Sequence, residues 1–243
     1  MQHGVQVLSA SREAIELNPS LDAAAFARAF AQDGRLHIPV ILTPRSAERV
    51  HRCLAQETPW TLIVNKNGTR QDLPAITTQE RIAHAQAAWE YGRENFAYVY
   101  DNHRLSHKGE AYPRADHYLA RIVEFLNGRP FLEFMRRVTG MEAIAFADAQ
   151  ATLYRPGDFL SPHEDDFEGK NRLAAYVLNM TPQWRGDWGG QLQFLDADGQ
   201  VESGYVPAFN ALNVFHIPKT HWVSQVAFHG GLRYSVTGWL RTL

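Results

Sequence analysis

Arg233-Tyr234-Ser235-Val236-Thr237-Gly238-Trp239-Leu240 is a short run rich in β-branched and aromatic residues, and such runs favour strands. Runs of the same texture stand at residues 148–154, 172–180, 191–194, 211–215 and 222–228, punctuated by glycine and proline. Many short strands separated by turn signals predict a sandwich or a barrel. Within the quoted run Arg233, Ser235, Thr237 and Trp239 alternate, so they share one face. An arginine with a hydroxyl two residues on makes a fork suited to a carboxylate.

Before Gly140 the texture is different. Residues 21–32 are alanine-rich, place Leu21, Ala25, Phe26 and Phe30 near one face, and end before Gly34, as an amphipathic helix does. Thr43-Pro44 opens a second helix running to Gln56, with proline at the first helical position. Thr77 and Glu80 have capping-box spacing and start a third, running through Glu94. Residues 114–126 and 130–138 make two more, closed by Gly128 and Gly140. Short strands are expected at 36–41, 61–65 and 96–100. No internal repeat, low-complexity tract or linker divides the chain. The expectation is an α+β fold in one unit, residues 1–243, with 1–140 as mainly helical support and 141–243 as a β core.

Composition narrows the function. The chain has 243 residues, of which 45% are hydrophobic and 21% charged, the profile of an ordinary globular protein. Lys and Arg total 24 against 26 Asp and Glu, for a net charge of -2. No block of like charge suggests a nucleic-acid arm or a polybasic membrane anchor. The single cysteine, Cys53, cannot form an intramolecular disulfide and nearly excludes a thiolate metal site. Residues 1–20 show no signal-type apolar core, and no stretch approaches the ~18 apolar residues of a membrane span. The expected compartment is the cytoplasm, with neither nucleic acid nor membrane as a partner.

His163-Glu164-Asp165, followed far downstream by His221 and Arg233, carries the chemistry. Strand alternation puts His163 and Asp165 on one face and turns Glu164 away, which favours Asp165 over Glu164 and Asp166 as a ligand. His216, His221 and, more weakly, His229 are the candidate third ligands. Pro218 follows His216 closely, so His216 is expected to end a core strand, whereas His221 starts the next one. Two histidines and one carboxylate on one side of a metal, with other positions open, is the ligand set of non-haem Fe(II) oxygenases.

The ordered motifs Tyr154-Arg155-Pro156-Gly157-Asp158-Phe159-Leu160-Ser161-Pro162-His163-Glu164-Asp165, Tyr176-Val177-Leu178-Asn179, Trp188-Gly189-Gly190-Gln191-Leu192, His221-Trp222-Val223 and Arg233 to Trp239 resemble the 2-oxoglutarate/Fe(II) dioxygenases. Within them the chain is similar to the prolyl-hydroxylase-like branch, including the ribosomal-protein prolyl hydroxylases. The resemblance spans roughly residues 148–242. It implies a double-stranded β-helix (jelly-roll) with Fe(II) at its open end, held by His163, Asp165 and His221. It implies 2-oxoglutarate as cosubstrate, its far carboxylate gripped by Arg233, with O2 consumed and ascorbate as a possible support. Decarboxylation to succinate and carbon dioxide would drive hydroxylation of an unactivated C–H. Related halogenases lack the carboxylate at the place of Asp165, so hydroxylation is the expected outcome. Tyr154 matches a family tyrosine that lines the cosubstrate pocket, and Trp239 an aromatic at its wall. Gly189-Gly190 is expected to make a tight turn. Relatives often have tyrosine where this chain has Val177, and Tyr176 should face the other way. The second donor to the far carboxylate would then be Ser235 or Tyr154.

The branch makes a prolyl residue of a protein or peptide the leading substrate, with a free amino acid or small metabolite as the alternative. Tyr98, Tyr100, Asp101, His103 and Arg104 form a polar-aromatic strand and turn that could line a substrate groove, or a plain sheet edge. Two other classes remain: a metal-binding jelly-roll that senses or scaffolds without turnover, and a hydrolase using Ser161 and His163. The second lacks a nucleophile-elbow motif and places its two groups poorly.

Overall fold

Strand alternation and helical spacing sort the apolar residues of this chain onto inner and outer faces. In the computed structural model, which describes residues 13–166, 169 and 171–243, the first half runs α1 (Ala23–Asp33), β1 (Arg35–Ile38), α2 (Pro44–Gln56), β2 (Thr61–Lys66), β3 (Thr69–Leu73), α3 (Thr78–Tyr91), β4 (Tyr98–Ser106), α4 (Tyr118–Leu126) and α5 (Arg129–Thr139). The second half runs β5 (Phe146–Ala147), β6 (Ala149–Tyr154), β7 (Phe159–His163), β8 (Arg172–Asn179), β9 (Leu192–Leu195), β10 (Val201–Tyr205), β11 (Ala211–His216), β12 (His221–Val223) and β13 (Arg233–Arg241). The expectation for residues 1–20 falls, for 1–12, outside the described residues.

One wall of the sheet follows the order β1-β11-β8-β13-β6-β4, extended past β4 by β2 and β3. The other follows β7-β12-β9-β10, and β4 joins the two walls by pairing with β7 at Tyr98 and Leu160. Every ladder is antiparallel. Folded against each other, the walls make the double-stranded β-helix, and their inner faces enclose the cavity described below.

Side-chain parity explains which face meets the helices. On β8, Ala174, Tyr176 and Leu178 point outward into one core with Ala149, Ala151, Val236 and Leu240. Leu119, Ile122, Val123 and Leu126 of α4, at three- and four-residue spacing, fill that core together with Phe131, Met135 and Val138 of α5 and Val50 and Leu54 of α2. This is the apolar stripe that drives a surface helix onto a sheet. Ala175 and Val177 point inward, into a separate cluster with Leu192, Phe194 and Phe215. α3 covers β2 and β4 through Ala85 and Ala88 against Leu62, Val64 and Val99. The capping box at its start is formed, with Thr77 and Glu80 exchanging bonds.

Several boundaries differ from expectation, each for a local reason. β1 stops at Ile38 because Val40 turns to φ 51° and Ile41 donates to Asn210 instead. The expected strand at 222–228 ends at Val223, because Ser224 and Val226 bond to the turns at Gln191 and Asp158. α3 ends at Tyr91 and α4 starts at Tyr118, shorter than expected. β4 is longer, since β2 and β6 flank it on both sides. β3, β5 and β10 were not anticipated, and β7 was expected only as the stretch carrying His163. β3 and β10 are largely polar, and the ladder rather than propensity makes them strands. For β3 a signal existed: Asn67 and Gly68 take φ 56° and 72°, the two-residue hairpin turn that an Asn-Gly pair favours.

Candidate active site

His163 ends β7 and His221 begins β12, and the two are direct partners across the ladder. Their ring centroids lie 4.3 Å apart. Asp165 follows two residues after the strand ends, in irregular backbone, so its placement beside His163 comes from the loop and not from an extended strand. Asp165 Oδ1 is 3.8 Å from His163 Nε2, and Oδ2 is 3.5 Å from His221 Nε2. Each residue of the trio offers a ligand atom within 4.8 Å of the others.

Backbone carbonyls set the orientation of both rings. His163 Nδ1 sits 3.0 Å from the Ser161 carbonyl and His221 Nδ1 sits 2.8 Å from that of Lys219. A carbonyl can only accept, so each Nδ1 carries the proton and each Nε2 lone pair faces Asp165, the arrangement metal-bound histidines use. Burial pulls the pKa of His221 down to about 4, with His163 beside it adding to the effect; it is therefore a neutral donor at ordinary pH. Two imidazole nitrogens and one carboxylate on one side of a shared point fit a divalent ion and leave other positions open.

The alternative residues go elsewhere. Glu164 turns outward and accepts from Thr220 Oγ1 at 2.8 Å. His216 closes β11 with its side chain exposed, and His229 is exposed near Asp187. Ser161 Oγ is engaged by both the N–H and the carbonyl of Ala97, which leaves it unsuited to act as a nucleophile.

Behind the trio lies a cavity of about 490 Å³ lined by Tyr98, Tyr100, Gln150, Thr152, Tyr154, Val177, Arg233, Thr237 and Trp239 among others. Arg233 is only 2% exposed. Among the described residues it has no carboxylate within ion-pair range, and its Nε has no partner. Burial lowers its pKa, while the neighbouring Tyr154 opposes that effect. A buried guanidinium without a counter-charge is costly, and a carboxylate entering the cavity would supply one. Tyr154 stacks on Tyr100 at 4.7 Å, and Arg233 Cζ lies 4.9 Å from the Tyr154 ring. Ser235 is fully buried with its hydroxyl 2.7 Å from that of Thr152. The Val177 side chain packs in the inner cluster, whereas that of Tyr176 lies in the core shared with the helices and donates to the Asp148 carbonyl.

Of the polar-aromatic strand singled out in sequence, Tyr98 and Tyr100 line the cavity. Asp101 faces the opposite side, paired with Arg81 and Arg155, and His103 bonds Tyr112. Arg172 was missed. Its Nη1 donates to the Asp165 carbonyl at 2.9 Å and its guanidinium lies 3.6 Å from the Trp239 ring centroid. Parity counted back from Ala175 would put Arg172 outside, and the register shift at Leu240/Arg241 falls at this end of the strand. Gln150 and Thr152 were also missed, although their parity with Tyr154 was a usable signal.

Residues 149–241 match the model of the 2OG-Fe(II) oxygenase superfamily. That segment of the chain, which holds the triad, is a 2OG-Fe(II) oxygenase domain. It carries the His163-Asp165-His221 triad intact, and Fe(II) and 2-oxoglutarate follow as its metal and cosubstrate. Over 116 residues this oxygenase is 31% identical to the prolyl 3-hydroxylase OGFOD1 of Xenopus laevis, an alignment covering 45% of this chain and 22% of that protein. The Mus musculus protein of the same name is 30% identical over 116 residues, covering 45% and 21%. The oxygenase thus spans about a fifth of the length of the curated relatives it matches. Among solved structures, a Pseudomonas putida prolyl-4-hydroxylase aligns with TM-score 0.58 and 21% identity, covering 91% of this chain and 99% of that one. A prolyl hydroxylase from Trichoplax adhaerens, in complex with a hypoxia inducible factor peptide fragment, aligns with TM-score 0.59 and 14% identity, covering 100% and 94%. These likenesses bear out the expected jelly-roll.

Proposed function

We propose that this oxygenase hydroxylates a prolyl residue of a protein or peptide. The observation that carries the substrate class is the 116-residue similarity to proteins named prolyl 3-hydroxylase. In support, the cavity lining includes Phe96, Tyr98 and Trp239, flat aromatic surfaces of the kind that hold a ring while excluding water.

In this proposal His163, Asp165 and His221 hold Fe(II), which when bound supplies the redox chemistry that couples loss of carbon dioxide from 2-oxoglutarate to hydroxylation. The residues of the chain do the rest. The Ser161 and Lys219 carbonyls keep both imidazoles turned toward the metal position. Arg233 binds the far carboxylate of 2-oxoglutarate, and its dry surroundings strengthen that attraction. Tyr154, already in contact with Arg233, is the second donor; the Ser235 hydroxyl is taken up by Thr152. Because burial raises the Tyr154 pKa well above the ordinary tyrosine value, the phenol keeps its proton and can donate it. We further read the chain as one oxygenase domain. We assign it to the cytoplasm on its one cysteine, buried and unpaired; no helix among the described residues is long and apolar enough to cross a membrane.

The test is succinate formation by purified protein with Fe(II), ascorbate and 2-oxoglutarate, with and without a proline-containing peptide library. Peptide-stimulated turnover, a one-oxygen mass gain on proline and loss of both in His221→Ala are the expected results. Slow turnover that no peptide stimulates would overturn the peptide assignment and favour a free amino acid or small metabolite.

A further inference from the structure

The stacked tyrosines of the cavity wall, Tyr100 and Tyr154, sit on neighbouring strands, and the residue after each one points out of the barrel. Those next residues, Asp101 and Arg155, are joined to each other: Arg155 Nε donates to Asp101 Oδ2 at 2.5 Å. From outside, Arg81 of α3 spans two carboxylates, with Nη1 2.7 Å from Asp101 Oδ1 and Nη2 2.6 Å from Asp158 Oδ2. Asp158 Oδ2 also accepts the Arg155 N–H at 2.8 Å, which closes the turn that follows Tyr154. The Asp101 and Asp158 side chains are 5% and 2% exposed, so water cannot stand in for the arginine. The same turn is bonded to the loop leading to Arg233, by Gly157 N–H to the Val226 carbonyl and Val226 N–H to the Asp158 carbonyl. Trp89, two helical turns beyond Arg81 on α3, donates to the Gly157 carbonyl at 3.0 Å.

We propose that Arg81 is a positioning residue for the cosubstrate pocket: by bridging Asp101 and Asp158 from α3, it holds the Tyr100–Tyr154 stack and the 155–158 turn where Tyr154 meets Arg233. This rests on the assignment of Arg233 and Tyr154 to the far carboxylate of 2-oxoglutarate. It gives α3 a task, although no residue of α3 lines the cavity. Burial pushes the Asp158 carboxyl up to about 7, with Arg81 the main influence pulling it back, so the charge on Asp158 depends on its partner. A lysine carries the same charge but lacks the planar fork that spans two carboxylates.

The test uses the full chain loaded with Mn(II), titrated with 2-oxoglutarate calorimetrically, for Arg81→Gln, Arg81→Lys, Asp158→Asn and the control Arg233→Met. Far-ultraviolet circular dichroism and Mn(II) affinity are measured on each. Arg81→Gln and Asp158→Asn are expected to weaken 2-oxoglutarate binding about tenfold, the low end of what loss of an outer support costs, with Mn(II) affinity unchanged. Arg81→Lys is expected to fall between Arg81→Gln and the unaltered protein. If Arg81→Gln does not fold, Arg81→Lys and Asp158→Asn carry the test. Folded variants that bind 2-oxoglutarate normally, while Arg233→Met does not, would overturn the role of Arg81 and leave that of Arg233 standing. Equal losses of metal and cosubstrate binding would overturn it too, by showing general loosening. Normal binding by Arg233→Met would remove the assignment of Arg233 on which the proposal rests.

Discussion

Replacing Arg233 by methionine should move two properties in opposite directions. In the ligand-free protein the guanidinium is 2% exposed with no carboxylate partner among the described residues. A buried unpaired charge is a liability, and an apolar residue of similar volume is often neutral or stabilising there. The unfolding midpoint of the ligand-free variant should therefore stay level or rise. Cosubstrate binding should collapse. Removing one partner of a buried, hydrogen-bonded charge pair costs roughly 2–5 kcal/mol; taking about 3 kcal/mol, the dissociation constant rises about 150-fold. At a 2-oxoglutarate concentration of about 100 times its dissociation constant, the unaltered protein gains about 2.7 kcal/mol. A 150-fold weaker variant gains only about 0.3 kcal/mol by the same relation. In a protein of this size that is a shift of roughly 5–10 °C reduced to about 1 °C. Scanning fluorimetry of the Mn(II)-loaded protein, with and without 2-oxoglutarate, reads both quantities. A variant that loses stability without ligand yet keeps the full ligand-induced shift would refute the reasoning.

Asp165→Ala should abolish Mn(II) binding seen by calorimetry, because among the described residues Asp165 is the carboxylate facing both histidines; micromolar binding in the variant would remove it from the metal site. His221 gives a pH dependence to the metal-free protein. Its folded pKa, about 4, lies below the ordinary 6.5, so the unfolded chain binds more protons between those values and stability falls as pH drops through that window. The ceiling is about 3 kcal/mol. Urea unfolding at pH 4.5 and 7 should show this slope in the unaltered protein and a flatter one in His221→Gln, and parallel slopes would count against it. Gly189 takes φ 65° and ψ -146°, a region almost reserved for glycine, and a Cβ there would collide with the Gln225 carbonyl. Gly189→Ala should therefore cost more than the 1–3 kcal/mol of backbone strain alone, read as a lowered urea midpoint. A loss of stability under about half a kcal/mol, the range of an unconstrained surface position, would contradict that close approach.

Much of this architecture was legible one strand at a time. Period-two alternation identified Arg233, Thr237 and Trp239 as one face, and all three line the cavity. The capping box at Thr77 located α3, and Pro44 located α2, because these signals are local and chemically specific. Strands whose own residues do not favour extension were not legible. Thr69–Leu73 is mostly polar and Val201–Tyr205 is interrupted by Gly204; both are strands because a neighbour supplies the ladder. Asp165 was selected by alternation, yet it lies beyond the end of β7. The parity argument named a suitable residue through a geometry that the loop, in fact, replaces.

What stayed hidden in the helical half shares one physical cause. Arg81 reads in sequence as an ordinary charge on the first turn of a helix, and charges there are usually solvated. Its partners are 20 and 77 residues away, and nothing local announces them. Asp101 likewise looked like a groove residue beside Tyr100, because sequence alone cannot say which face of β4 meets the cavity. The ladder decides: Asp101 pairs with Leu153 and Asn102 with Thr152, so Tyr100 and Tyr154 turn inward together and Asp101 turns toward α3. An inward aromatic stack backed by an outward ion lattice requires both strands and the helix to be in place at once. The helices of such a chain are therefore more than a cover for apolar strands. At Arg81, helix placement and cosubstrate geometry become the same question, and a substitution that leaves every cavity-lining residue intact is expected to alter the affinity of the cavity.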